Sequence, residues 1–592
     1  MCGICGDIRF DDSQPSLPVV STMMEKMFSR GPDAYGTMLQ GSVCFGHRRL
    51  KIIDLSEKSR QPMSDPFLGL DAVFNGCIYN YRELKNELEE EGYRFFSEGD
   101  TEVVLKAYHA WGVDFVSRLN GMFALVIHER DSGRIIMARD RLGIKPLYLD
   151  NRDEFLRFAS SLPALLISEG VNTEINPVAL HHYLHWHAVV PAPHTILKGI
   201  TKLPPATLRV YEPNGLFKDT KYWDLDMKKD LSSEVLTRDE WVYLLLDEIR
   251  TAVKRRMVAD VPVGVLLSGG VDSSLLVGLL AEEGQTDLNT FSVGFEAVGD
   301  EKGDEFFYSD LIASKFNTNH HQIFVPTDNL LDTLPYSILA MSEPMVSYDN
   351  IGFFLLAQEV AKHVNVVQSG QGADEVFGGY HWYRPLMKSK DPVDDYCNVF
   401  FDRTQTEFER VVHDDLIHGD FSREFVSNFF SKPGANHPVD KALRLDTTIM
   451  LIDDPVKRVD NMTMAWGLEA RVPFLDHELI ELAGKIPATL KVKERGKWIL
   501  KEAAREVIPD EVIDRRKGYF PVPALKHIEG PVLEFVKEYL TNDIATTRKL
   551  FKNEYIDLLL EEPTSHITPL RGSKLWQVAL LEMWLQIHGV SQ

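Results

Sequence analysis

Apolar positions in the first 210 residues come in short bursts. CGICGDIRF, VCFGHRRLKIIDL, DAVFNGCIYN, MFALVIHER, RIIMARDRL and PLYLD alternate or run apolar between Gly, Asp and Asn, which predicts strands joined by turns. Two stretches, YRELKNELEEEGY and EVVLKAYHAWG, instead repeat apolar residues every three to four positions and predict helices. This mixture predicts an α+β unit of layered sheets. From about 212 to 240 the chain turns polar, charged and weakly periodic (EPNGLFKDTKYWDLDMKKDLSSEVLTRDE), as a linker over a surface would. Beyond it, VPVGVLLSGGVDSSLLVGLLAEEG, LNTFSVGF with DEFFYSDLIASKFN, and NVVQSGQGADEVFGGY read as strand-then-helix units of a parallel α/β sheet. From about 390 the pattern is mostly helical, closing with LWQVALLEMWLQIHG. The expected division is 1–212, a linker at 213–238, and 239–592.

Length supports more than one core, since 592 residues far exceed the ~150 of a usual domain. With 44% hydrophobic and 26% charged residues, the chain has the balance of a folded enzyme rather than a disordered segment. Its net charge of −24 repels phosphate backbones, so nucleic acid is an unexpected partner and small molecules are the expected ones. Five cysteines, odd in number and unevenly spread, do not make a disulfide framework. They point to a reducing compartment, with the cytoplasm the expected location. The start MCGICGDIRFDDSQ lacks a basic region followed by an apolar one, and no stretch approaches the ~18 apolar residues of a membrane span.

Two features carry chemistry. Cys2 follows Met1, so removal of that methionine leaves a thiol and an α-amine on one residue. An amine with an ordinary pKa of ~8 can take the thiol proton, the arrangement of an N-terminal nucleophile. The second feature is SGGVDSS at 268–274, between an apolar strand and an apolar helix. Gly269 and Gly270 allow close backbone approach, Ser268, Ser273 and Ser274 add hydroxyls, and the helix start offers unpaired N–H groups to phosphate. No GxxxxGK[ST] loop is present. A serine-and-glycine loop without that lysine suits a pyrophosphate leaving as one unit, hence adenylation of a carboxylate. Asp272 within the loop favours phosphate only with Mg²⁺ between them, which calls for a second carboxylate. SGQGADE at 369–375 offers Asp374, and Glu375 as the residue more suited to capping a helix.

Assembled, these strings resemble the glutamine-dependent asparagine synthetase family over nearly the whole chain. Cys2, RGPD at 30–33, HRRL at 47–50, NGCIYN at 75–80, GDTE at 99–102 and RDRLGIKPLY at 139–148 resemble a class II glutamine amidotransferase domain; SGGVDSS, SGQGADE, EARVPFLD at 469–476 and GKWILKEA at 496–503 resemble its synthetase partner. The resemblance implies an Ntn-type αββα glutaminase layer structure followed by a PP-loop ATP pyrophosphatase-type α/β domain with a largely helical C-terminal part. It implies that Cys2 attacks the glutamine amide, Asn75 and the Gly76 N–H hold the oxyanion, and Arg49 and Asp100 take the α-carboxylate and α-ammonium. It further implies that ATP lies against Leu267, Ser268, Gly269, Gly270, Asp272, Ser273, Ser274, Val293, Ser369 and Gly370. Asp272 and Asp374 would hold Mg²⁺, and Lys497, rather than Lys501 one turn on, would stabilise the adenylate and pyrophosphate. Ammonia would cross an enclosed passage between the domains.

Three positions depart from the usual family strings: Cys77 and Ser161 each stand for a glutamate, and Gln371 for the acid of SGEG. A neutral amide at 371 removes a base and changes the acceptor's electrostatics. Together with FASSLPALL, HHYLHWHAVVPAPHTILKGITKLPPAT and SGQGADEVFGGYHWY, these departures most resemble the bacterial N-acetylglutaminylglutamine amidotransferases, which amidate a dipeptide's C-terminal carboxylate; aspartate is the alternative acceptor. A nucleotide-binding regulator without catalysis, and an N-terminal-nucleophile hydrolase acting on another amide, are alternatives of other classes. Intact Cys2, Asn75, Asp272 and Asp374 speak against the regulator, and an attached ATP domain against the hydrolase. His181, His182, His185 and His187 in HHYLHWH, with no carboxylate beside them, are expected to pack or cap rather than bind metal. The oligomeric state is left open, a homodimer included.

Overall fold

A computed structural model describes residues 2–229, 235–295, 306–325, 330–515 and 528–590. The predicted strands of the first part form two six-stranded sheets. One is built around Gly3–Arg9, hydrogen-bonded to Val43–Arg49 on one side and Phe155–Ala159 on the other. The second is built around Leu70–Ile78, Gly121–Glu129 and Ile135–Arg139. Ile4, Phe45, Leu156 and Phe158 of the first sheet pack against Val73, Val126 and Met137 of the second, filling the space between them. The outer face of the second sheet is covered by the helices Tyr81–Glu90 and Asp100–Trp111, and that of the first by Leu17–Lys26 and Pro177–His185. The result is four layers, helix–sheet–sheet–helix. Strict alternation could not have built it, because both faces of each central strand are buried and their runs are nearly continuous in apolar residues.

The polar segment after residue 212 does not run free from its start. Phe217–Lys221 pairs antiparallel with Thr207–Tyr211 and closes the edge of the second sheet. All five of its side chains are exposed, which is why its sequence reads as surface. Residues 230–234 of the expected linker lie outside the described residues, as do Asp304 and Glu305 of the expected helix DEFFYSDLIASKFN. Thr237 then starts the helix Arg238–Arg255 with a reciprocal Thr237–Glu240 capping box.

The second part holds a five-stranded parallel sheet in the order Asn319–Val325, Asn289–Phe295, Val263–Leu266, Val366–Gln368, Glu469–Arg471. Successive strands extend in one direction from Val263–Leu266 and then, starting with Val366–Gln368, in the other. The chain order therefore reverses between these two neighbours, where ligands of open α/β sheets bind beyond the strands' carboxyl ends. SGGVDSS and SGQGADE are the loops that leave those two strands. Helices dominate the rest; the last, Lys574–Ile587, is buried nearly all round, which explains its apolar sequence. No helix among the described residues is long and apolar enough to cross a membrane.

The two parts share apolar cores. Cys77, Tyr79, Met122 and Leu142 join one cluster with Val265, Leu275 and Phe474, and the helices Leu17–Lys26 and Pro177–His185 join another with Phe354, Met462 and Trp584. Buried ion pairs cross the same junction. Asp460 accepts from Arg30 Nη1 at 3.0 Å and Lys145 Nζ at 3.3 Å, and Lys202 Nζ lies 2.7 Å from Asp453 and 3.1 Å from Glu343.

Candidate active site

Cys2, Arg49, Gly76 and Asp100, far apart in sequence, line one small cavity between the sheets and the junction. Cys2 precedes the strand Gly3–Arg9 and is buried, and burial raises its thiol above the ordinary range. Its backbone nitrogen donates to Asn75 Oδ1 at 3.0 Å. Asn75 Nδ2 turns the other way, 3.5 Å from Ser160 Oγ, which itself accepts from Ile4 N at 3.0 Å. Gly76 is crowded by the neighbouring strand: a Cβ there would stand 2.2 Å from the Met122 carbonyl, so no other residue fits without moving the ladder.

Arg49 leaves the end of its strand and is gripped by backbone carbonyls of Ser56 (2.9 Å), Ile53 and Asp54. Those carbonyls sit on a turn that Asp54 organises by accepting from Ser56, Ser59 and the Glu98 N–H. Asp100 opens the helix Asp100–Trp111 and accepts the Ile78 N–H at 3.0 Å; burial pushes its carboxyl up to about 6. Thus a fixed cation and a mostly ionised anion share one cavity with a thiol. That is the charge pattern of a site for a free amino acid.

Sequence reasoning assigned no role to Glu469, yet it lines this same cavity from the other half of the molecule. It belongs to the fifth strand of the parallel sheet and binds Arg471 Nε at 2.6 Å, while Arg471 Nη2 reaches Cys77 Sγ at 3.6 Å. The quoted string EARVPFLD contained the signal, but nothing in its periodicity says that a three-residue strand will face the other domain.

In the second half the geometry converges on Lys497. Its Nζ lies 2.7 and 3.0 Å from the two oxygens of Asp272 and 3.0 Å from Asp374 Oδ1. Lys497 is buried, and its two acidic neighbours hold its pKa above the ordinary lysine value despite the desolvation that opposes this. Lys501 makes no such contact with these acids; burial and the Lys497 charge lower it. Three glycines bring the groups together. Gly269, at φ +70°, passes within Cβ distance of the Ser309 N–H, Gly370 packs on Asp272, and a side chain at Gly379 would collide with Asp374.

The SGGVDSS loop is knitted by its own hydroxyls: Ser273 Oγ accepts from Ser268 N at 3.2 Å and lies 3.1 Å from Ser268 Oγ. Ser274 Oγ is buried with no partner, and Leu267 N donates to Phe291 O at 2.7 Å, fixing the strand below. Ser369 N donates to Arg471 O at 2.8 Å, which ties the second loop to the strand carrying Glu469. Val293 lies half-buried on the adjoining strand Asn289–Phe295. Gln371 is half-buried in the turn between Ser369 and Asp374.

The histidine string behaves differently from its reading in one respect. His181, His182 and His185 are buried on the helix Pro177–His185, as expected of packing residues. Carboxylates are nonetheless present: His187 Nδ1 lies 3.2 Å from Asp402 Oδ2, and Asp420 approaches His181. Both acids come from the distant helical region, so no local pattern around residue 181 could have announced them.

The sequence model for asparagine synthase matches residues 244–586, and that for a glutamine amidotransferase domain matches residues 1–223. The chain is 32% identical to asparagine synthetase [glutamine-hydrolyzing] 1 of Bacillus subtilis over 99% of its own length and 97% of the relative's. It is 29% identical to asparagine synthetase [glutamine-hydrolyzing] 3 of the same organism, over 99% and 98%. The amidase chry2 of Gibberella zeae is 27% identical over 91% of this chain and 92% of the relative. The chain therefore belongs to the asparagine synthase family of glutamine-dependent, ATP-driven amidating ligases.

Proposed function

We propose that the chain amidates the C-terminal carboxylate of N-acetylglutaminylglutamine, in the cytoplasm, with ammonia drawn from glutamine. The observation that carries the choice of acceptor is Gln371, a neutral amide in the turn next to Asp374, where the family's usual string has an acid. Aspartate remains the second reading, supported by the Bacillus subtilis relatives.

The first reaction uses the N-terminal cavity. Once Met1 is removed, the Cys2 nitrogen is an α-amine, and Asn75 Oδ1 accepts one of its hydrogens, leaving its lone pair to take the thiol proton. A base is needed because burial disfavours the thiolate. The thiolate attacks the glutamine amide carbon, the proton passes to the leaving nitrogen, ammonia departs, and water later releases glutamate from the thioester. The Gly76 N–H and the Asn75 Nδ2 hydrogen not turned to Ser160 Oγ are the candidate donors to the oxyanion, with Arg49 and Asp100 holding the α-carboxylate and α-ammonium.

In the second reaction an acceptor carboxylate oxygen attacks the ATP α-phosphorus and pyrophosphate leaves; ammonia then attacks the acyl carbon and AMP leaves. The Ser268–Ser274 loop and Lys497 are suited to the departing pyrophosphate. Asp272 and Asp374 converge on one point and offer hard oxygen ligands, the donor set that Mg²⁺ takes, so the residues fit that ion. When bound there, Mg²⁺ neutralises phosphate charge. Lys497 keeps the two like-charged carboxylates side by side.

Mass analysis of products from ATP, Mg²⁺, glutamine and either N-acetylglutaminylglutamine or aspartate tests the reading. The amidated dipeptide with AMP and pyrophosphate is expected. Asparagine as the efficient product would restore the second reading, and ADP with phosphate would overturn adenylation.

A further inference from the structure

The carbonyls that grip Arg49 sit on a turn that the second half of the molecule helps to hold. Arg49 Nη1 donates to Ser56 O and Nη2 to both Ile53 O and Asp54 O, which uses three of the five guanidinium N–H groups and leaves two for a ligand. Asp54 stands at φ +47°, in the left-handed region that Asp tolerates but does not favour, so the turn keeps its shape only where its surroundings fix it. On one side the Asp54 carboxylate does so, through Ser56, Ser59 and the Glu98 N–H. On the other side the anchor is Asp260. Its carboxylate accepts the Asp54 N–H at 2.8 Å, and its own N–H donates to Ile52 O at 2.9 Å, so Ile53 is clamped between two bonds from the other half of the chain.

Asp260 is itself well held. It lies three residues before the strand Val263–Leu266, which leads into the SGGVDSS loop. The Arg256 and Val258 carbonyls just upstream accept from Arg471 Nη1 at 2.8 and 2.7 Å, and Arg471 O accepts from Ser369 N in the SGQGADE loop. The Asp260 side chain is exposed and does not line the cavity of Cys2.

We propose that Asp260 is a positioning residue for glutamine: from the half that carries SGGVDSS and SGQGADE, it holds the turn whose carbonyls aim the Arg49 guanidinium into the Cys2 cavity. This rests on the assignment of Arg49 to the glutamine α-carboxylate. A turn loosened at Asp260 lets the guanidinium swing, while the thiol, Asn75 and Gly76 stay where the sheets put them. The loss therefore falls on glutamine binding and spares both the turnover of bound glutamine and the chemistry of the second centre.

The test is glutaminase kinetics of the full chain carrying Asp260→Ala or Asp260→Asn, beside synthesis from ammonium salt with the acceptor that the unaltered enzyme amidates. Because Asp260 is exposed, neither change opens a cavity. Asp260→Ala should raise KM for glutamine ~3- to 10-fold, the effect of one lost hydrogen bond, with kcat within about 2-fold of the parent and ammonium-driven synthesis unchanged. Asp260→Asn keeps an oxygen that accepts the Asp54 N–H, so its KM should stay near that of the parent. With Arg49→Lys in place, which removes the planar fork, Asp260→Ala should add less than about 2-fold, because both changes act through one contact. An unchanged KM in Asp260→Ala, an equal fall in ammonium-driven synthesis, or full additivity with Arg49→Lys would overturn the role of Asp260. Arg49→Lys alone leaving KM unmoved would overturn the reading of Arg49 and this proposal with it, whereas a raised KM in Arg49→Lys and none in Asp260→Ala would sink Asp260 alone.

Discussion

The two reaction centres solve the problem of buried charge in different ways. In the N-terminal cavity the two groups assigned to glutamine's charged ends are fixed by backbone, Arg49 by three carbonyls and Asp100 by one N–H, while the Cys2 nitrogen donates to the Asn75 side chain. Arg49 and Asp100 face the same space without pairing with each other. In the second centre the charges touch each other, with Lys497 bridging Asp272 and Asp374 on loops bent by glycines. Backbone anchoring makes a site rigid and specific for one small zwitterion. A charge triad can exchange partners when a polyanion enters, which suits a centre proposed to take ATP and release pyrophosphate.

If the centres are separate in this sense, breaking one should spare the other. The largest effect is expected for Cys2→Ala, which should reduce glutamine-dependent synthesis ~10⁴-fold or more, as loss of a covalent nucleophile does, while synthesis from ammonium salt persists. Parallel assays with the two nitrogen sources check this, and loss of both activities would merge the two sites into one. Lys497→Met leaves Asp272 and Asp374 in mutual repulsion and should cost the acceptor reaction ~10²–10³-fold. Glutamine hydrolysis measured alone should survive it.

Sharper still is the pH dependence of the backbone-anchored cavity. Burial raises the Asp100 carboxyl to about 6, so it is ionised above that pH and neutral below it. The glutaminase KM for glutamine should therefore climb as pH falls through 6. Asp100→Asn should show a KM raised roughly 10-fold or more, as loss of a charge-assisted contact does, and that dependence should flatten. A wild-type KM unchanged between pH 7 and pH 5 would contradict the assignment of Asp100 to the α-ammonium.

The smallest expected effect is at Gln371. Gln371→Glu adds an unpaired charge beside the acceptor and should lower dipeptide amidation roughly 5-fold. Faster asparagine formation by this variant, read with both acceptors side by side, would favour aspartate instead.

Local signals located each loop but not its company. SGGVDSS and SGQGADE announced themselves through glycine and serine at a strand-to-helix turn, because close phosphate approach and an open helix start require those residues in one continuous stretch. Arg49 and Asp100 were legible only through whole-family strings, since a lone arginine or aspartate carries no periodic signal. The edge strand Phe217–Lys221 went unseen because its pairing is entirely through backbone while its side chains stay in water. Glu469 and Asp420 went unassigned for a related reason: each meets its neighbours across more than two hundred residues of intervening chain.

By itself, then, the sequence determined the alternation of elements, the placement of both phosphate-type loops, the thiol next to Met1 and the family. Each of these is written in contiguous residues, where spacing and backbone preference act directly. Only the tertiary structure decided that Lys497 pairs with both aspartates at once, that Glu469 looks into the cavity of the other half, and that Asp420 approaches the buried His181. Those outcomes depend on which side chains the packed sheets and helices bring within a few ångströms, and long-range packing leaves no periodic trace in the chain that produces it.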